Sequence, residues 1–230
     1  MNIAFSRFWG ALVIFAGCPS FAASGATALF DFQGNGNPTQ AGWTAADLGN
    51  GSNGTVSIAT TAIGAVTVDS RNRAGSAIDA GGGAEAAMWN DFVFALNSFS
   101  SSPGTGLQLA ITGLTANTIY PITIWAFDDG SNPEPAGVDR AADWSGGGGS
   151  ATLTFPGGPD PSTLADYNVS FEAVSDSSGN LTLTGIVAAT NPSSSHNVFI
   201  NGLEIGDAIP EPSVGVLTFL GALLFMRRKR

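Results

Sequence analysis

The chain has 230 residues, room for one all-β domain plus short targeting segments, and 18 acidic against 8 basic side chains give it a formal net charge of −10. Arg7 lies near the start and Arg227, Arg228, Lys229 and Arg230 close the chain, so the body between them has only Arg71, Arg73 and Arg140 and no lysine. Such an anionic surface repels phosphate backbones and excludes a nucleic-acid partner; one cysteine, Cys18, and one histidine, His196, exclude a zinc site built on several thiolates or imidazoles.

Residues 1–9 carry a single cation, Arg7, and residues 8–17 form an apolar run, followed by Pro19 and the small-residue stretch Ser20-Phe21-Ala22-Ala23-Ser24. Charge, oily run and small residues in that order predict a signal peptide over residues 1–23, cut after Ala22 or one or two residues later. A lipoprotein signal ending at Cys18, from Phe15-Ala16-Gly17-Cys18, is the rival export reading. With Cys18 inside the leader, the mature chain forms no disulfide.

Residues 24–207 are read as one extracellular domain. The 31 Gly, 12 Pro and only 11% charged residues point towards disorder, but 15 Phe, 5 Trp and recurring Val/Ile/Leu runs require a packed core. Apolar residues alternate with polar ones, and Gly, Asn, Ser and Pro clusters break the runs. Strands are predicted at 29–32, 55–60, 65–68, 91–96, 107–111, 120–127, 151–155, 167–174, 181–187 and 198–205. No stretch keeps a 3.6-residue apolar rhythm for three turns. Ten short strands with turn signals between them predict an all-β fold, an antiparallel β-sandwich of jelly-roll type. Ser177-Ser178-Gly179-Asn180 reads as a tight hairpin joining 167–174 to 181–187, and 146–149 as a flexible loop.

Asp128, Asp129, Asn132 and Glu134 crowd the segment after the 120–127 strand. Hard oxygen donors so placed suit a structural Ca2+, although the spacing is not that of an EF-hand, and a solvated acidic loop is the plainer alternative. Asp31 and Glu204, near the first and last strands, form a second Ca2+ candidate. In 120–127, Tyr120, Ile122, Ile124 and Ala126 share one face while Thr123, Trp125 and Phe127 share the other. Trp125 is therefore either core packing or a platform for a sugar ring. Trp43, Trp89 and Trp144 flank loops and are placed at the rim, with Trp43 the ligand-binding candidate. Arg71 and Arg73, two residues apart, are spaced to grip a carboxylate or sulfate, or to pair with neighbouring Asp side chains. For catalysis, His196 follows Ser193-Ser194-Ser195 with no nucleophile elbow, and a glycosidase carboxylate pair would leave no sequence mark.

Several pieces of the body resemble galactose-binding-like jelly-roll modules. They are Phe30-Asp31-Phe32, Gln40-Ala41-Gly42-Trp43, the 120–128 strand ending in acidic residues, and Val198-Phe199-Ile200-Asn201-Gly202-Leu203-Glu204-Ile205. The resemblance implies a sandwich and glycan binding, often beside calcium. The family often presents a Gly-Asp pair after the central strand, whereas this chain has Asp128-Asp129-Gly130.

Residues 208–230 form a tail in three parts. Pro210-Glu211-Pro212 blocks any helix or strand from running through. Residues 214–226 are uninterruptedly apolar, and Arg227-Arg228-Lys229-Arg230 ends the chain. Thirteen residues make a helix of about 20 Å, short of the ~30 Å hydrocarbon core. Four adjacent cations hold well on the cytoplasmic side of a membrane, and snorkelling absorbs modest mismatch, so the tail reads as a stop-transfer segment. The tripartite order resembles the PEP-CTERM sorting tail of exopolysaccharide-producing bacteria. That resemblance implies an exosortase-like processing enzyme as partner, and an inner-membrane-anchored precursor that passes to the cell surface or extracellular matrix. The expected function is a non-catalytic, polysaccharide-associated envelope protein; the alternatives are a lectin-like module and a small glycan hydrolase or lyase.

Overall fold

The computed structural model describes residues 27–33, 38–47, 56–60, 65–69, 73–76, 86–89, 91–96, 106–127, 140–155, 161, 163–190 and 197–209. Over these residues the chain is all-β. The single helix, α1 (Ala86–Trp89), is one turn long. The predicted signal and membrane helices lie outside the described residues.

One sheet has five strands: β1 (Ala28–Gln33), β2 (Thr44–Asp47), β8 (Ile119–Trp125), β11 (Asn168–Val174) and β14 (Gly202–Ile205), in the order β11-β8-β14-β1-β2. The second has six: β3 (Val56–Thr60), β4 (Ala65–Asp69), β7 (Leu107–Thr112), β9 (Arg140–Gly146), β10 (Gly149–Phe155) and β12 (Leu181–Val187), in the order β10-β9-β12-β7-β4-β3. A third, small sheet joins β5 (Arg73–Ser76), β6 (Asp91–Leu96) and β13 (Asn197–Ile200). The ladders are antiparallel except that β1 and β2 run parallel.

Alternation decides which side of each sheet is dry. Phe30, Phe32, Tyr120, Ile122, Ile124, Leu203 and Ile205 are buried from the five-stranded sheet, and Leu107, Leu109, Ile111, Trp144, Leu153, Leu181 and Leu183 from the six-stranded one. All belong to one hydrophobic cluster, so the two sheets share a core in sandwich-like fashion. Each of these side chains contributes about 1.5–3 kcal/mol of burial energy relative to an exposed position. In the small sheet consecutive residues are buried, Phe92 to Ala95 and Val198 to Ile200, so it is covered on both faces. Its aromatic centre is Phe92, Phe94 and Phe199, with the Arg140 guanidinium 5.3 Å from the centre of the Phe199 ring.

Three local expectations are corrected. The 198–205 run is two strands in different sheets, because Asn201 breaks it. The Asn201 carbonyl accepts the Phe32 N–H, its own N–H donates to the Trp125 carbonyl, and its Oδ1 accepts the Phe127 N–H at 2.7 Å. The strands at 167–174 and 181–187 are not a hairpin. β11 pairs with β8, whereas β12 pairs with β7 and β9, so the Ser177–Asn180 turn crosses from one sheet to the other. The 146–149 segment is not a flexible loop: Gly147 and Gly148, both at positive φ, make the two-residue turn of the β9–β10 hairpin. Strand β9 was not anticipated, since Ala141-Ala142-Asp143-Trp144-Ser145 lacks regular apolar alternation; β2 and β5 were missed for the same reason.

Where β10 and β11 meet, the Val174 N–H donates to the Gly147 carbonyl at 3.0 Å, tying the edges of the two large sheets together. At that end the connections are short: 113–118, 147–148 and 175–180. The opposite end receives β1, β8 and the starts of β2, β11 and β14, and the candidate site is built there.

Candidate functional site

The site begins with a buried carboxylate. Asp31 on β1 is fully buried, and its Oδ2 accepts the backbone N–H of Gln40 at 2.6 Å. Gln40 opens a turn: its carbonyl accepts the Trp43 N–H at 3.0 Å, and Gly42 in the third position has φ +84°. That is the signature of a type II turn, in which the third residue needs a positive φ and glycine meets the need without strain. The Gln40 side chain also accepts the Met88 N–H at 3.5 Å, which ties α1 to the same turn.

The turn sets the Trp43 indole on the outer face of the five-stranded sheet. Gly202 lies beneath it, opposite Asp31 on one side and Trp125 on the other. A Cβ at Gly202 would sit 2.7 Å from the Trp43 ring and 2.6 Å from the Met88 sulfur, so the missing side chain is what lets the indole reach the strand. Trp125 buttresses Trp43 edge-on, with ring centres 5.2 Å apart and planes at 70°. Trp125 is fixed in turn, its indole N–H donating to the Leu164 carbonyl at 2.7 Å.

Beside this pair lies a second aromatic group. Tyr167 stacks on Phe127 at 5.1 Å, and Trp89 meets both edge-on. Tyr167 has φ +42°, a left-handed backbone that costs a bulky residue about 1–3 kcal/mol. The stacking and the Ala126 N–H donated to its carbonyl at 3.1 Å hold it there.

Along the outer face, the next row after Gly202 and Trp125 runs from Leu29 through Glu204 and Thr123 to Ser170. Glu204 pairs with Thr123, and Thr123 with Ser170, whose hydroxyl oxygen lies 3.0 Å from that of Thr123. Glu204 and Thr123 are half-buried and Ser170 is exposed.

Set against the sequence expectations, the structure keeps Trp43 half-exposed but removes Trp125 from ligand contact: it is 5% exposed and its polar atom is engaged. Trp89 and Trp144, expected at the rim, are buried core residues. Asp31 and Glu204 do share the outer face of adjacent strands, but Asp31 is sealed beneath Gln40 and Glu204 is half-exposed. Among the described residues no group of three or more His, Cys, Asp or Glu could hold a metal ion. Asp128, Asp129, Asn132, Glu134, Arg71, His196, Pro210, Glu211, Pro212 and the terminal basic cluster lie outside the described residues, and Arg73 is described only as a backbone position on β5. Sequence reasoning missed Gln40, Thr123, Ser170 and Gly202 as parts of one site. The glycine before Trp43 signals a turn, but nothing in the sequence names Asp31 as its anchor.

No protein-family model matches the chain, and no curated protein and no solved structure matches it either. Among the described residues no helix is long and apolar enough to cross a membrane.

Proposed function

We propose that this chain is an exported cell-surface or extracellular-matrix structural protein, a jelly-roll-type sandwich sorted through a PEP-CTERM tail by an exosortase-like enzyme. The observation that carries the reading is the tail itself: Pro210-Glu211-Pro212, an apolar run and four terminal cations in that order. The junction supports it. Among the described residues the last backbone pairing in chain order is the bridge between Ile119 and Ile209, where the Ile209 N–H donates to the Ile119 carbonyl at 2.9 Å. The next residue is Pro210, which has no N–H to extend a ladder. The described pairing thus ends at Ile209, directly before the motif in sequence. In this reading the precursor sits in the inner membrane through its tail, and the processed body joins the polysaccharide envelope.

Mass spectrometry of the mature C-terminus, in cells with and without an exosortase gene, tests the proposal. The expected result is a chain cut near Pro210-Glu211-Pro212 in the first strain and an intact, membrane-bound chain in the second. Mature protein that keeps Arg230 in both strains and fractionates away from membranes overturns it.

A further inference from the structure

At the end of the five-stranded sheet away from Trp43, an apolar row lies open to water. Ile119 on β8 pairs with Val174 on one side and bridges to Ile209 on the other, so the three residues line up across the sheet. Directly opposed residues of antiparallel strands project to the same face. The chain neighbours Tyr120 and Ala173 fill the buried face, which leaves the row on the outer one. Val174 is 42% exposed, Ile209 is 36% exposed and Ile119 is half-buried. Three large hydrophobic side chains are exposed among the described residues, and two of them stand in this row. Half-buried Pro121 extends the apolar surface into the next row. The described chain also begins here, since Ala28 at the start of β1 pairs with Ile205.

We infer that the Val174–Ile119–Ile209 row rests on the lipid bilayer and orients the body, with the Trp43 turn held at the far end. The inference depends on reading residues 208–230 as a membrane anchor and adds to it a contact made by the globule itself. The apolar run starts at Val214, five residues after Ile209, and five residues of extended chain reach at most about 18 Å. The expected signal peptide ends at Ala23, five residues before Ala28, so both apolar segments approach the body from this end. A headgroup layer is about 5–8 Å thick, and a body tethered so closely meets it. Three side chains would hold a membrane weakly by themselves, but a short tether makes the second contact intramolecular. Apolar burial drives that contact, and charge does not help it. Glu172 in the neighbouring row, Asp176 in the adjoining turn and Asp207 are exposed, while the Arg140 side chain is buried. The row therefore needs no anionic lipid. Ile119 to Trp125 is six residues of strand, about 20 Å, which sets the height of the Trp43 turn above the membrane.

The test reconstitutes the full-length chain into phosphatidylcholine vesicles whose headgroups carry spin labels. Cys18→Ser removes the native thiol, and a fluorophore is placed on Ser177→Cys, in the crossover turn beside the row, or on Ala41→Cys, in the Trp43 turn. Both positions are exposed. Vesicle flotation reads the anchor, and quenching reads the contact. The chain is expected to float, with the Ser177 label quenched about threefold or more above the Ala41 label, since the two ends differ in height by about 20 Å. Val174→Asp and Ile209→Asp should each narrow that difference while flotation persists, because a charged side chain does not enter the interface unpaired. The comparison of the two labels needs no change in the row, so it stands even if an Asp variant fails to fold. Equal quenching of the two labels, an unchanged difference in both Asp variants, or a difference that appears only when phosphatidylglycerol is added overturns the inference and leaves the anchor in place. A chain that does not float overturns the anchor reading and this inference together.

Discussion

Asp31 and Gln40 are joined by a buried 2.6 Å hydrogen bond in which a β1 carboxylate accepts the backbone N–H that opens the turn leading to Trp43. This contact connects the sheet to the residue that gives its outer face an aromatic surface. Truncating the acceptor leaves a buried N–H unsatisfied. Asp31→Ala is therefore expected to destabilise the fold by about 1–3 kcal/mol and to shift tryptophan emission as Trp43 loosens. Chemical denaturation followed by fluorescence measures both; an unchanged midpoint would remove the turn's anchor from the account.

The β9–β10 turn separates backbone strain from collision. Gly148 has φ +85° and open space around a built Cβ, so Gly148→Ala should cost about 1 kcal/mol from strain alone. Gly147 has φ +54°, and a Cβ there would run into the Val174 backbone. Gly147→Ala should cost more, about 2–3 kcal/mol. Paired thermal melts test the order; equal losses contradict it.

Gly185 faces the buried Trp144 ring, and a Cβ there would lie 2.8 Å from it. Gly185→Ala should destabilise by about 1–3 kcal/mol through overpacking. The Trp144 N–H has no hydrogen-bond partner among the described residues, so Trp144→Phe loses packing but no polar contact. In a double-mutant cycle the smaller ring should recover part of the Gly185→Ala loss. Strict additivity would show that the two sites do not touch in solution.

The Asp176 carboxylate caps the crossover turn. The Asn180 and Ser178 backbone N–H groups, with the Asn180 side chain, hold its pKa below the ordinary 3.8 and outweigh the opposing desolvation. A depressed folded pKa means that its stabilisation is complete above about pH 3.8 and is lost as pH falls through the lower folded value. The stability difference between wild type and Asp176→Ala should therefore be constant near neutrality and shrink in strong acid. Unfolding midpoints at stepped pH check the sign. A difference that grows with acidification refutes it.

Period-2 alternation was enough to place ten segments that cover eleven of the observed strands, and the all-β class, because a half-buried strand must alternate wherever one face is dry. It missed β2, β5 and β9, whose small and polar residues carry no regular apolar signal, and it fused β13 to β14, since Asn201 interrupts a run that reads as continuous. Partner choice was also out of reach. Neither β11 nor β12 encodes that they belong to different sheets; the hydrogen bonds formed by distant β8, β7 and β9 decide it.

Composition, charge and the order of motifs at the two ends come from sequence alone, because they depend on residue identity and spacing and need no neighbour in space. That is why the expected export signal and the proposed sorting tail can be read one residue after another. The outer-face site is different in kind. Asp31, Trp43, Thr123, Ser170 and Glu204 come from separate stretches of chain, and only strand register sets them side by side. Which tryptophans stay in contact with water was likewise decided by packing: Trp125 and Trp144 are buried, while Trp43, lying over a glycine and packed against the same cluster, is half-buried.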